Sequence, residues 1–329
     1  KENIDLRAVE QIVDNEQLNT IGAIMKYAEN KKIRNIVLSC ITILIAIALR
    51  MNNLIFLIAN SIYLCFNLID EIKLIISNKK SKKIILRYIA VLLMFVIISL
   101  AGTKIFKMNL QNKYEVDPDK ELPSTRYIAM GMQEGFRANG WYNDTGDLGW
   151  KRRVESEEYV SMIKERIKYF LSDIKYTFRF YEGKIISMWA DPLQESIWQN
   201  LSFNFNFDEE KINTGEIDID QVNKKDELII SKRNCAQIFL KAWLIIVFGN
   251  ILIFLIINRK DISNEAMLLL LCFIGGFLFH ILWEGKSRYV IPYIVILIPL
   301  ASVQIDFSKK KIKKICQGNS ISVEKQKSN

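Results

Sequence analysis

Six stretches of this sequence carry no charged residue and are mostly apolar. They are Asn35–Leu49, Met51–Ile69, Tyr88–Thr103, Ala242–Asn258, Ala266–Trp283 and Tyr289–Ile305, of 15, 19, 16, 17, 18 and 17 residues. A helix crosses a bilayer with about 20 mostly apolar residues, in a usual range of about 17–25. Lys and Arg at the ends of a shorter run extend it, because their long stems return the charge to water. A soluble chain with 25% charged residues rarely averages above zero in hydropathy, yet the mean hydropathy here is +0.11. The runs predict an all-α polytopic membrane protein of about six transmembrane helices. They exclude a soluble enzyme, a disordered chain and a small disulfide scaffold.

The net charge of +9 is unevenly placed. Between Lys104 and Arg233 there are 20 Lys and Arg against 23 Asp and Glu, which leaves +12 for the remainder, mostly beside the apolar runs. That pattern reads as membrane topology and not as nucleic-acid binding, which favours a basic folded domain. With both termini cytoplasmic, the inside segments carry 19 basic residues, among them Lys26, Arg34, Lys79, Arg87, Arg259 and Lys309. The short outside loops carry only Arg50, Lys286 and Arg288. The expected location is therefore the plasma membrane, with residues 104–234 extracytoplasmic.

This orientation divides the chain into five parts. Residues 1–34 form a polar cytoplasmic or interfacial segment, with a partial helical stripe at Ile12, Leu18, Ile21, Ile24 and Met25. Residues 35–103 hold spans one to three, 104–234 a small, mainly helical extracytoplasmic domain, 235–305 spans four to six, and 306–329 a basic tail. Within the outward domain, Val160, Ile163, Ile167, Phe170 and Ile174 recur at helical spacing over Glu155–Ile174, with Ser156 as the nearest capping residue. Phe178, Tyr181, Ile185 and Met188 repeat the period over Tyr176–Trp189, and a turn follows at Asp191–Pro192. Asn204–Gln221 is polar and acidic and is expected to be a loop. Trp141, Tyr142, Trp150, Trp189 and Trp198 either fill a small helical core or rest at the headgroup layer.

The five cysteines form no CxxC pair, so they indicate neither a zinc site nor a disulfide framework. Cys40, Cys65, Cys235 and Cys272 lie within or next to spans, as small apolar packing residues do. No metal and no cofactor is expected. The tail Lys309–Lys314 is explained by topology and by attraction to anionic lipids.

Chemistry is expected first in the last outside loop, His280 to Tyr293. Lys286 and Arg288 run against the positive-inside bias there, which suggests a counter-anion, and a guanidinium fork fits phosphate. Glu284 either orients Arg288 or binds a substrate hydroxyl, and Tyr289 and Trp283 lie at interface depth. The plainer alternative is an ordinary loop in which Glu284 pairs with Lys286 or Arg288. His280, the single histidine, precedes Glu284 by four residues and serves either acid–base work or helix packing. A second place is Met130-Gly131-Met132 followed by Gly140-Trp141-Tyr142-Asn143-Asp144-Thr145-Gly146-Asp147. A tight polar turn of this kind either binds sugar hydroxyls through Tyr142, Asn143, Asp144 and Asp147 or caps a small domain.

Taken in order, these segments resemble the C-terminal half of bacterial membrane glycosyltransferases of the family 39-like group, related to protein O-mannosyltransferases and built on the GT-C architecture. Asn53–Ala59 resembles a mid-chain span of that group. Ala129-Met-Gly131-Met, then Gly140-Trp-Tyr-Asn143 and Asp147, resembles its outward segment. Glu284-x-x-x-Arg288-Tyr289-x-x-Pro292 resembles the loop before a late span. The likeness covers roughly residues 40–315. It implies a polyprenyl-phosphate-linked sugar donor used on the outer membrane face, with Arg288 and Lys286 on the lipid phosphate. It also implies a glycan, lipid or protein acceptor. The family's catalytic carboxylate lies on a first outward loop of its N-terminal half, and the first outward loop here, Arg50–Asn53, has no Asp or Glu. The expectation is that Lys1 is an internal residue of a longer protein. Two other classes stay open: a non-enzymatic glycan-binding or polymer-assembly partner, and, less favoured, a transporter.

Overall fold

The structure is a computed structural model, and it describes residues 6–78, 83–113, 123–135, 138–141, 156–192, 219–259 and 262–302. Among these the chain is almost wholly helical and has no β-strand. The helices are α1 (Leu6–Asn30), α2 (Ile33–Leu49), α3 (Leu54–Asn78), α4 (Lys83–Lys113), α5 (Ser124–Gly131), α6 (Ser156–Ser172), α7 (Ile174–Trp189), α8 (Ile219–Asn258), α9 (Asn264–Leu282) and α10 (Ile291–Val295). Short 3₁₀ turns cover Met51–Asn53 and Ser287–Val290. The chain divides into two compact units.

The first unit comprises the described residues within Lys1–Ser124, Lys260–His280 and Pro292–Leu297. Helices α1 and α2 form a hairpin that turns at Lys31, whose φ of 55° is left-handed. Asn30 Oδ1 accepts from the Lys32 N–H at 3.0 Å and from Asn35 Nδ2 at 3.0 Å, so the turn's polar groups are satisfied locally. Ile21, Ile24 and Tyr27 of α1 are buried, as are Ile36, Cys40, Ile43 and Ile47 of α2. Of the stripe expected on α1, Leu18 is exposed, and the Ile12 side chain lies outside the described residues.

Helices α3 and α4 pack beside this hairpin. Their polar side chains mostly return to their own backbone: Asn60 Nδ2 donates to the Phe56 carbonyl (2.7 Å), Ser99 to Phe95 (2.6 Å) and Thr103 to Ser99 (2.6 Å). Such i−4 bonding lets a polar residue sit in an apolar helix without a buried unpaired group. Asn53 donates to the Ala46 carbonyl at 2.6 Å and accepts from Gln17, which closes the 3₁₀ turn between α2 and α3.

Among the described residues four helical stretches are long and apolar enough to cross a membrane: Leu54–Lys73, Tyr88–Lys113, Asn234–Asn258 and Asn264–Leu282. Two of them, Tyr88–Lys113 and Asn234–Asn258, are only 22% buried over their apolar windows, so most of their Leu and Ile face outward. The run in α2 is shorter, at 17 residues. The run Tyr289–Ile305 is not one helix: it is a 3₁₀ turn, then α10, a turn at 296–297 and helical residues 298–302. Pro292 and Pro299 each fall in the first turn of one of these pieces, where no N–H is needed, and neither tolerates an uninterrupted helix through it.

The second unit comprises the described residues within Thr125–Arg259, Ile281–Ile291 and Ile298–Asn329. Its α6–α7 hairpin starts and turns near the predicted places, and Asp173 caps α7 by accepting from the Tyr176 N–H at 2.8 Å. Of the stripe expected on α7, Met188 is buried and Tyr181 packs against a buried cluster, whereas Phe178 is 74% exposed; Phe180 and Lys184 are buried beside them. Phe180 packs with Phe170 and Met132, and Arg166 lies over the Phe170 and Phe180 rings at 4.8 and 5.3 Å. Helix α8 starts at Ile219, so Ile219–Gln221, the end of the loop expected over Asn204–Gln221, are helical, and residues 204–218 of that loop lie outside the described residues.

Within the first unit Gly276 lies against Tyr293, where an added Cβ would fall 2.4 Å from the ring. Gly276→Val should therefore destabilise the chain by about 1–3 kcal/mol, the range for overpacking. Gly22→Ala meets nothing within 4 Å and should leave stability unchanged or raise it slightly. Thermal melts in detergent compare the two, and equal melts would show that the Gly276–Tyr293 approach is not close.

Candidate functional site

The second unit is organised around one lysine. Lys184 lies in the middle of α7, is 1% exposed, and points its ammonium at three backbone carbonyls. Nζ donates to Gly131 O at 2.6 Å, to Ile281 O at 2.9 Å and to Trp283 O at 2.8 Å. An ammonium has three protons, and all three are used. Gly131 ends α5 and Ile281 is in the last turn of α9, so the positive charge sits where helix-terminal carbonyls lack partners and the helix dipole is negative.

Glycines allow the approach. A Cβ on Gly131 would stand 2.3 Å from Leu282 O, and one on Gly140 would stand 2.6 Å from both Gly131 O and the Lys184 stem. Gly140 also has φ +74°, a left-handed conformation that glycine adopts without strain. Gly285 passes over Met188, whose sulfur would lie 2.6 Å from an added Cβ.

Backbone bonds fasten the segment after α9 to the same place. The Glu284 N–H donates to Tyr127 O at 2.9 Å and the Gly285 N–H to Gly140 O at 2.8 Å, with an isolated parallel bridge between Trp141 and Gly285. Trp141 Nε1 donates to Ser187 Oγ at 3.1 Å, and Tyr127 and Trp283 stack at 5.5 Å. The loop and the glycine segment, both singled out in the sequence, thus meet through a residue that was not. Lys184 interrupts the apolar stripe of α7, and a lysine reads as a surface residue. The signal available was the Phe180, Lys184, Met188 register itself, one lysine on an otherwise apolar face.

Burial pushes the Lys184 pKa down to about 7, and the Glu284 carboxylate opposes that shift. Glu284 is 6% exposed, so it is buried and not a solvent-facing group. Lys286 is half-buried and extended, and Arg288 is half-buried with its guanidinium 5.6 Å from the Tyr289 ring centroid. Ser287 and Val290 between and beyond them are fully buried. The Lys286–Arg288 pair is therefore carried on an anchored turn.

His280 belongs to the first unit, where it is buried and packs edge-on against Phe279 at 5.1 Å and Tyr293 at 5.8 Å. Helix α9 ends at Leu282, so the four-residue spacing from His280 to Glu284 does not place them on one helical face. Tyr142, Asn143, Asp144 and Asp147 lie outside the described residues, as do Trp150 and Trp198. Among the described residues no group of three or more His, Cys, Asp or Glu is placed to hold a metal ion.

Residues 1–57 match the family described as the MRB1590 C-terminal domain. The match takes in α1, α2 and the start of α3, under a fifth of the chain, and includes no residue of the Lys184 site. No curated protein and no solved structure matches the chain.

Lys184→Met keeps most of the stem's volume but leaves three buried carbonyls without their donor. It should cost about 1–3 kcal/mol, the penalty for leaving buried polar groups unpaired. Because the folded pKa lies near 7 and the unfolded one near 10.5, the unfolded state binds more protons between these values. Wild-type stability should therefore rise with pH from about 7 towards 10.5, and that rise should vanish in Lys184→Met. Melts across this window decide it, and a slope shared by both proteins would assign the rise to another group.

Proposed function

We propose that this chain is an integral membrane protein and forms the C-terminal portion of a cell-envelope glycosyltransferase, in which the Lys286–Arg288 turn holds the phosphate of a polyprenyl-linked sugar donor. The observation that carries the reading is the anchored turn itself. It directly follows a 19-residue apolar helix and bears two cations that solvation alone does not require. The four long apolar helices and the inside excess of basic residues support the membrane assignment and its orientation.

The chemistry proposed for the turn is electrostatic. In sugar transfer an acceptor oxygen bonds to the anomeric carbon as the bond from that carbon to the phosphate oxygen breaks. The departing polyprenyl phosphate takes the electron pair and gains negative charge. Fixed cations beside that phosphate stabilise the charge as it develops, and a guanidinium carried on a turn anchored through its backbone does so with little reorganisation. The resemblance places the catalytic carboxylate on another outward loop. The role proposed for this chain's own residues is donor-phosphate binding.

Two measurements test the proposal. Alkaline carbonate washing should leave the chain in the membrane pellet. In reconstituted protein, Arg288→Ala should weaken binding of polyprenyl phosphate by roughly tenfold or more, the effect of removing a charge-assisted hydrogen bond, with an unchanged melting temperature. Wild-type affinity in that variant would overturn the role of Arg288, and binding of a glycan without the lipid phosphate would favour the assembly-partner reading.

A further inference from the structure

Within the second unit an open apolar groove of about 680 Å³ runs between the C-terminal turn of α7 and α8. Lys241, Ile245, Gly249 and Leu252 line it from α8 at spacings of four, four and three, which places them on one face. Ile186 and Trp189 close the other side. Lys241 is exposed, and it is the last charged residue before the charge-free run Ala242–Asn258. Among the described lining residues there is no carboxylate to balance it. Gly249 leaves the middle of the groove open, since a Cβ there would meet nothing within 4 Å.

We infer that this groove is a site for one anionic phospholipid of the outer leaflet, with its phosphate on Lys241 and one acyl chain along Ile245, Gly249 and Leu252. The inference rests on the membrane reading above but not on the role given to Arg288. Two features choose the occupant. The first is charge: a single ammonium stands at one end of an otherwise apolar trough, the complement of a headgroup phosphate above a hydrocarbon tail. The second is length. From Lys241 to Leu252 the helix rises about 16 Å, close to half of the roughly 30 Å hydrocarbon core and hence to the depth of one leaflet. Trp189 and Trp243 flank the cationic end, and tryptophan is enriched at that depth. A soluble apolar ligand would bring no counter-charge to Lys241.

Native mass spectrometry of the full chain, released from discs of mixed phosphatidylcholine and phosphatidylglycerol, tests this. Wild type should retain one phosphatidylglycerol. Gly249→Phe fills the groove and should abolish retention, and Lys241→Gln should cut the preference for phosphatidylglycerol over phosphatidylcholine about fivefold, the effect of one basic residue near an anionic surface. Ile253→Phe, on the exposed face of α8, should retain lipid as wild type does. Gly249→Phe and Lys241→Gln should keep the wild-type melting temperature once lipid is removed. Equal retention in all four proteins overturns the site while leaving the membrane reading standing. Release of the chain by alkaline carbonate overturns the membrane reading and the site with it.

Discussion

The second unit depends on one buried ammonium. Lys184 brings an amine, fully charged only below its lowered pKa of about 7, to a place where it is 1% exposed, and it is held there by three carbonyl oxygens at 2.6–2.9 Å. Taking a cation out of water is expensive unless every donor is satisfied and a counter-charge is close. Both conditions are met, by the ends of α5 and α9 and by Glu284. The ammonium replaces the water that would otherwise solvate the terminal carbonyls of these helices, so two segments far apart in sequence gain a common partner.

That single contact explains features that look unrelated along the chain. Gly131 and Gly140 are small because backbone and lysine stem pass where a side chain would stand. Gly285 is small because Met188, one turn after Lys184, occupies the space above it. Glu284 is buried because its charge is answered from within. Lys286 and Arg288 then follow directly on a segment fastened by the backbone hydrogen bonds of Glu284 and Gly285. A turn with its backbone anchored in this way has the property that donor-phosphate binding would use.

Much of this architecture was legible in the sequence. The helical hairpin of α6 and α7, the start at Ser156 and the turn at Asp191–Pro192 follow from apolar spacing and capping chemistry, which are local. The apolar runs of α3, α4, α8 and α9 were equally plain. Tyr289–Ile305 was misleading, because its apolar content reads as one span while Pro292 and Pro299 divide it. The face of α7 was read only in part: Met188 is buried and Tyr181 packs against a buried cluster, as the spacing suggests. Phe178, Tyr181 and Ile185 are apolar and helically spaced, but Phe178 is exposed and Lys184 is buried. Hydrophobic periodicity assigns faces by averaging, and it has no means of knowing that a lysine will find three carbonyls inside.

The sequence by itself determined that the chain is helical, where its long apolar segments lie and where along the chain its basic residues gather. These are properties of neighbouring residues and their spacing. It also marked the glycine segment and the Glu284–Arg288 loop as unusual, each in isolation. Only the tertiary structure decided that the two meet, since Gly131 and Trp283 are far apart in sequence and are joined by a side chain from a third segment. It alone decided that His280 and Glu284 do not share a helical face, because α9 stops at Leu282. A buried polar contact is set by which backbone groups are left unsatisfied when helices end, and that is known only once the ends have been brought together.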